Sequence, residues 1–329
     1  MMKILVNTEQ FTQGDPIFNP LVERGYEVIV NETHRLPTEE QLIVMVSDEN
    51  VVATIAGGEP YTEKVFNHSK GLKIVARWGV GYDKVDITAA AKHGIPVAMA
   101  FGCNHESVAE FAFSMATSLA CNLINYNQLV KNKVWTFEDF HHGLWNHTAG
   151  VIGFGRIGRA MAERCLGAKM QVLVCDPLAD KAQVEELGAK LVSFEELLEK
   201  SDLVSVHAPN TPETKHMIST RQFELMKSSA ILINTSRGPL IDEEALYNAL
   251  VDKQIFAAGL DVFEVEPLPL HSKLRELNNV ILTPHVSGMD KNARKLVTKR
   301  CIDNILSYLD GDMSSIQPYV VNSQLLEEM

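Results

Sequence analysis

Residues 148–177, TAGVIGFGRIGRAMAERCLGAKMQVLVCDP, run from a short apolar stretch through a glycine-punctuated turn and a helical segment to a second apolar stretch. The turn carries Gly153, Gly155 and Gly158 in the spacing G-x-G-x-x-G, after the strand-like AGVI and before the helix-like RAMAERCLGA. Alone that spacing is a weak signal; between a strand and a helix it reads as a dinucleotide-binding turn. The first glycine permits the tight turn and the second lets a pyrophosphate approach the backbone. The third lets helix and strand pack closely, while the helix N-terminus faces the phosphates. Asp176 closes the next strand, QVLVCD. From there a carboxylate can accept hydrogen bonds from the adenosine ribose hydroxyls and repel a 2′-phosphate. The same residues could also form a plain strand-to-helix turn with a capping aspartate.

The pattern extends in both directions. Downstream, DLVSVHA, AILINT, FAAGLDVF and NNVILTP bring this run to six strand candidates. Upstream, KILVN, YEVIVNE, VVATIAG, KIVARW and IPVAMA alternate with helix-like stretches such as TEEQLIVMVSDE and DITAAAKHG. Alternation of this kind predicts parallel, doubly wound α/β sheets, here two of them. The expected layout is a discontinuous domain, 1–103 plus 291–329, with a nucleotide domain, 104–290, inserted into it. SVAEFAFSMATSLACN, from Ser107 to Asn122, is a long and mostly apolar helix that should be buried. Residues Leu123–His147 contain KNKVWTFEDFHHGLWN and show no clean period. An irregular connection of that length usually has a job. Trp135, Phe137, Phe140 and Trp145 need a partner surface, so this arm is expected to make a homodimer.

The 329 residues carry a formal charge of -12, with 46% hydrophobic and 22% charged side chains. Such a balance fits a globular chain and argues against a nucleic-acid surface. No apolar run reaches membrane-spanning length, and MMKILVNTEQ opens on a strand pattern without signal-peptide architecture. Cys103, Cys121, Cys165, Cys175 and Cys301 form no CxxC and are odd in number, which points to free thiols in the cytoplasm. His141, His142 and His147 match no metal-ligand spacing, so no metal is expected.

Three strand candidates end near residues suited to acid–base work on a carboxylate-bearing substrate. Arg237 follows AILINTS, and its planar fork can hold a carboxylate bidentately or simply pair with Glu243 or Glu244. His285 follows NNVILTP, while His207 in VSVHAP occupies a similar position. Imidazole is the group most easily tuned to exchange a proton near neutral pH. Glu264 and Glu266, both in FEVEP, compete to be its carboxylate partner. In the N-terminal part, RWGVGYD sets two glycines around Val80, which can expose successive backbone N–H groups to an anion or serve only as a tight turn.

Taken together, VARWGVGYDKVD, SVAE, TAGVIGFGRIGRAMA, VSVHAPNTPET, LINTSRGPLIDEEAL, AGLDVFEVEPLP and NNVILTPHVSG resemble the D-isomer-specific 2-hydroxyacid dehydrogenases over essentially the whole chain. The resemblance implies a flavodoxin-like substrate domain with an inserted Rossmann NAD-binding domain, whose dimerisation arm spans about 123–147. It implies Arg237, Glu266 and His285 as the catalytic set, and Val80 with Gly81 as the substrate-carboxylate loop. It also implies Asp261 at the nicotinamide carboxamide, with Thr235, Pro209 and Asn104 lining the cofactor. Arg156, Ile157, Pro177, His207 and Val108 complete the expected cofactor contacts.

Some features depart from the family pattern. LWNHTAG stands where many members have a glycine–lysine pair and then T-L-G. The loop AGGEP lacks the arginine that the 3-phosphoglycerate enzymes often place there, and their C-terminal regulatory domain is expected to be absent. Glu266, where formate dehydrogenases carry glutamine, disfavours that activity.

The implied reaction is reversible reduction of a 2-oxo acid by NADH, with His285 as proton donor in a site between the domains that closes to exclude water. Trp78 and the Ala56–Pro60 loop, with the amides of Gly57 and Gly58 open, are expected to bound the substrate side chain. Either Arg77 or Trp78 should face the cleft, since strand alternation opposes them. A small polar acid such as glyoxylate or hydroxypyruvate is the expected substrate, with 3-phosphoglycerate oxidation as the alternative. A dinucleotide-sensing, corepressor-like protein is the reading from a different class.

Overall fold

The computed structural model describes every residue except 34, 137–140 and 329. The chain divides into two compact units, Met1–Asn104 with Asp290–Met329, and His105–Met289. In the first unit, β1 (Lys3–Val6), β2 (Glu27–Val30), β3 (Val51–Ala56), β4 (Ile74–Arg77) and β5 (Val97–Met99) form a parallel sheet in the order β2-β1-β3-β4-β5. All six residues of β3 are buried, as a central strand covered on both faces requires. One face packs Ile4, Val6, Ala53 and Ile74 with Val297, Cys301 and Ile305. The last three come from the helix Lys291–Leu309, which Asp290 caps. The return of the chain to the N-terminal sheet is thus fixed by an apolar helix face.

The second unit holds β6 (Thr148–Ile152), β7 (Gln171–Cys175), β8 (Lys190–Leu191), β9 (Leu203–Val206), β10 (Ile231–Asn234), β11 (Ala257–Leu260) and β12 (Val280–Leu282). They pair in the parallel order β12-β11-β10-β9-β6-β7-β8, a doubly wound sheet whose strand order reverses between β6 and β9. β8 extends the expected six strands by a two-residue edge strand. The helix His105–Ala120 buries Ala109, Ala112, Met115 and Ala116 in the core on one face of this sheet.

The segment 123–147 needs a correction. Its first nine residues form a helix, Leu123–Lys131, rather than an irregular connection, and none of them is buried. Phe137 and Phe140 lie outside the described residues. Among the described residues no single helix is long and apolar enough to cross a membrane.

Candidate active site

The dinucleotide turn is built by β6 and the helix Arg156–Gly167. Gly153 sits at φ +88°, a left-handed conformation that favours glycine, and a Cβ there would press on the backbone of His207 and Ala208. A Cβ on Gly158 would be driven into the carbonyl of Gly153, so the close approach of helix to strand requires glycine. Gly155, the N-cap of the helix, has open space where its Cβ would be. The two outer glycines serve the fold, then, and the middle one leaves room for a ligand at the helix N-terminus. Gly155 and Arg156 are exposed, Ile157 is half-buried, and Gly158 is buried.

Asp176, one residue past β7, accepts from the Phe154 N–H at 2.6 Å through Oδ2 and from the Leu178 N–H at 2.8 Å through Oδ1. It therefore ties the glycine turn to the end of β7 and keeps lone pairs for two further donors. Pro177 beside it is exposed, as is Pro209. Thr235 Oγ1 and His207 Nδ1 are buried polar atoms without a protein hydrogen-bond partner, and such atoms call for a ligand or water. The open Gly155, the part-free Asp176 and these two orphans fit a dinucleotide. Asn104 Oδ1 is likewise buried without a partner. Val108 is buried in the helix His105–Ala120.

The catalytic candidates stand beyond the C-terminal ends of three neighbouring strands, β10, β11 and β12. After β10, the Asn234 side chain accepts from the Ser236 N–H at 3.0 Å and donates to the Arg237 carbonyl at 2.9 Å, which folds the turn that presents Arg237. Nη1 of Arg237 donates to the Ser236 carbonyl at 2.6 Å, and the side chain is half-buried.

Glu266 and His285 meet: Oε2 of the carboxylate lies 2.8 Å from Nδ1 of the ring. Because an ionised carboxylate only accepts, Nδ1 carries the proton of that bond and Nε2 is left for other work. Glu266 Oε1 accepts from the Phe263 N–H at 3.0 Å. Burial opposes its charge, yet the His285 bond and charge, the Phe263 amide and Arg237 together hold its pKa below the usual value.

The competitors are placed elsewhere. Glu264 accepts from the Glu243 N–H at 3.0 Å and lies 3.3 Å from His216, in a separate cluster. His207 packs Nε2 at 2.8 Å from Ser205 Oγ, and burial pushes its pKa down to about 4, so it is neutral at ordinary pH.

Asp261, directly after β11, is fully buried. Its Oδ1 accepts from Thr283 Oγ1 at 2.6 Å and the Val286 N–H at 2.9 Å, while Oδ2 accepts from the Ser287 N–H at 2.8 Å. It therefore shapes the segment that carries His285, which itself sits at φ +55°. Nothing in the sequence around Asp261 indicates this role.

In the first unit, the bend after β4 presents Val80 and Gly81, both partly exposed. Among the described residues neither of their amides donates to another backbone carbonyl, which leaves them for an anion. Two expectations about the surrounding wall are corrected. Trp78 is not a wall residue: it packs edge-on against Phe11 and donates from Nε1 to Thr298 Oγ1 at 2.8 Å, in the core. Arg77 faces the other way, as alternation requires, and Nη1 donates to the carbonyls of Ala56 at 3.3 Å and Trp78 at 2.7 Å. Gly57 is buried, and a Cβ there would come within 2.9 Å of Leu36 and 2.8 Å of the Asn7 carbonyl, so close packing explains the glycine better than open amides.

Among the described residues no cluster of histidine, cysteine, aspartate or glutamate could hold a metal ion. His141 is exposed, His142 lies tilted against Phe256 with ring centroids 4.1 Å apart, and His147 points Nδ1 at the Trp145 carbonyl.

The family description "D-isomer specific 2-hydroxyacid dehydrogenase, NAD binding domain" matches residues 113–287. A glyoxylate reductase from Korarchaeum cryptofilum is 35% identical over 312 residues, covering 93% of this chain and 92% of the relative. A D-3-phosphoglycerate dehydrogenase from Archaeoglobus fulgidus is 39% identical over 263 residues, 78% of this chain and 50% of the relative. The crystal structure of D-lactate dehydrogenase from Aquifex aeolicus, complexed with NAD and lactic acid, superposes with a TM-score of 0.85. It shares 27% identity and covers 98% of this chain and 99% of that one. The chain belongs to the D-isomer specific 2-hydroxyacid dehydrogenase family, NAD-dependent oxidoreductases that interconvert 2-oxo acids and 2-hydroxy acids.

Proposed function

We propose that this enzyme reduces a small, polar 2-oxo acid of the glyoxylate and hydroxypyruvate kind, with Arg237, Glu266 and His285 as its catalytic residues. The observation that carries the assignment is the 2.8 Å Glu266–His285 contact, one strand away from Arg237 in the same sheet. When bound, NADH supplies the hydride that reduces the 2-carbon. Glu266 holds the ring through Nδ1, so that Nε2 of His285 donates the proton to the oxygen that becomes the hydroxyl. Arg237 binds the substrate carboxylate and stabilises the oxygen as charge develops on it. The unpaired amides of Val80 and Gly81 are a second carboxylate holder. Gly155 and the helix N-terminus take the pyrophosphate in the turn that Gly153 and Gly158 shape, and Asp176 takes the adenosine ribose, which favours NADH over NADPH. Thr235, His207, Pro209, Pro177, Asn104 and Val108 are assigned to the remaining cofactor surface, and Asp261 acts through the segment that carries His285.

The packing of the Ala56–Pro60 loop and the position of Arg77 support a small polar substrate. Gly57 is filled in by Leu36, and the nearby cation Arg77 is turned onto two carbonyls. The Archaeoglobus relative keeps 3-phosphoglycerate oxidation as the second reading. NADH consumption with hydroxypyruvate, 2-oxoisocaproate and 3-phosphohydroxypyruvate decides between them. Best efficiency with the branched acid refutes the polar assignment, and a large advantage for the phosphorylated acid installs the second reading.

The exposed Trp135 (90%) and Trp145 (72%), with Leu123, Ile124 and Val130 on the neighbouring helix, support a homodimer built on this arm. A monomer at micromolar concentration by light scattering contradicts it. Five free thiols support a cytoplasmic location.

A further inference from the structure

Five polar side chains act on one another in the first unit: Asn7, Glu59 and Arg77 at or just past the C-terminal ends of β1, β3 and β4, Thr54 from within β3, and Tyr61 from the loop after it. The strand order reverses between β1 and β3, the place where open α/β sheets bind ligands. Glu59 is 1% exposed, and both its carboxyl oxygens are buried without a hydrogen bond of normal geometry. A carboxylate in that state is costly, and natural proteins retain such groups chiefly where they act on something. Burial pushes the Glu59 pKa up to about 7, with the Arg77 charge and the polar Asn7 and Tyr61 side chains pulling the other way.

Among the described residues, the charged and titratable groups acting on it are the Arg77 guanidinium from β4 and the Tyr61 phenol from its own loop. Burial raises the Tyr61 pKa well above its ordinary value, so the phenol stays neutral. β1 and β3 present the uncharged Asn7 and Thr54, and Leu36 packs apolar atoms on Gly57 and Gly58. Glu59 and Arg77 both lie against the Ala56–Gly57 link. Arg77 donates to the Ala56 carbonyl, and a Cβ on Gly57 would stand 3.0 Å from Glu59 Oε2. Arg77 also opens the bend that presents Val80 and Gly81, since its carbonyl accepts from the Gly79 N–H at 2.9 Å.

We propose that Glu59 is a specificity-determining residue: ionised, it neutralises Arg77 beneath the Val80–Gly81 bend and rejects substrates with a second negative charge, whereas protonated, it lets the Arg77 charge attract them. This rests on the reading of that bend as a carboxylate holder. The buried acid thereby does what the missing loop arginine would otherwise undo, keeping the site for monoanions at neutral and alkaline pH.

The test compares kcat/KM for 2-oxoglutarate with that for glyoxylate between pH 6 and pH 8. Both acids are fully ionised throughout, and any titration of the proton donor affects both and cancels in the ratio. Where the dicarboxylate binds without being reduced, its inhibition constant replaces its kcat/KM. The dicarboxylate-to-glyoxylate ratio should fall about fivefold or more as pH rises, the scale of one neutralised neighbouring charge. In Glu59→Gln the ratio should be high and independent of pH; in Arg77→Gln it should be low and independent of pH. A purely structural Glu59 would change stability and both substrates alike. A flat wild-type ratio overturns the proposal, and so does wild-type pH dependence retained in Glu59→Gln; if that variant does not fold, the wild-type profile and Arg77→Gln decide. Normal glyoxylate turnover with a flat ratio removes this inference alone, whereas no turnover of any 2-oxo acid removes the assigned reaction with it.

Discussion

Asp261→Asn should damage catalysis from a buried position that exposes no surface of its own. The carboxylate accepts from Thr283 Oγ1, the Val286 N–H and the Ser287 N–H at 2.6, 2.9 and 2.8 Å. An asparagine keeps one acceptor oxygen. If it stays at the Oδ1 position, the Thr283 and Val286 bonds survive without the acceptor's charge, and the new NH2 group faces the Ser287 N–H, donor against donor. One lost charge-assisted bond together with one buried unsatisfied donor costs about 3 kcal/mol. That bond set also holds His285 at φ +55°, a conformation that itself costs on the order of 1–3 kcal/mol for a non-glycine residue. As the restraint weakens, the turn relaxes and the ring leaves Glu266. Turnover should then fall at least tenfold, the equivalent of about 1.4 kcal/mol in the barrier. Urea unfolding and steady-state NADH oxidation measure the two effects on one preparation. A variant as stable as the parent and as active would show that the buried carboxylate does not hold the histidine, and the reasoning would fail.

His285→Asn should lower kcat for reduction by roughly 10²–10⁴-fold, the usual scale for a lost general acid, with the NADH dissociation constant nearly unchanged; near-normal turnover would disprove the assignment. Gly155→Ala should fold normally and weaken NADH binding, because open space surrounds its Cβ position, whereas Gly158→Ala should destabilise the second unit even without cofactor. Thermal melts with and without NADH separate the two, and equal behaviour of the variants would contradict the glycine roles. Glu266 is depressed in the folded state, so the stability it contributes is fully present above its unfolded value and is lost as pH falls through the folded one. Acid unfolding should consequently be less steep in Glu266→Gln, and an unchanged acid limb would show that the contact with His285 contributes nothing to folding.

Much of the second unit was legible because its signals are local. Apart from the two-residue β8, each strand of the inserted sheet is a mostly apolar run of three to five residues with a turn residue after it, and the glycine spacing marks the switch from strand to helix. β8 escaped because two residues carry no period. The helix Leu123–Lys131 escaped for another reason: LINYNQLVK buries none of its side chains, so the apolar stripe that reveals a core helix is missing. Trp78 was misplaced because alternation fixes that Arg77 and Trp78 oppose each other without fixing which faces inward. The choice is made by Phe11 and Thr298, far away in sequence.

Three acidic residues show why roles in such a site exceed what a single sequence displays. Glu59, Asp261 and Glu266 each follow a parallel strand, and nothing in A-G-G-E-P, G-L-D-V-F or F-E-V-E-P ranks them chemically. What separates them is the supply of donors from other segments. Asp261 receives a hydroxyl and two amides from residues 283–287. Glu266 receives one amide and an imidazole, and its pKa falls despite burial. Glu59 receives no hydrogen bond of normal geometry, and its pKa rises to about 7. A carboxylate saturated with donors fixes backbone, one sharing a single ring orients a proton donor, and one starved of donors titrates where enzymes work. Because all of those donors but the Phe263 amide arrive from distant segments, the division of labour among identical groups is written in the topology, and the strand order makes it readable.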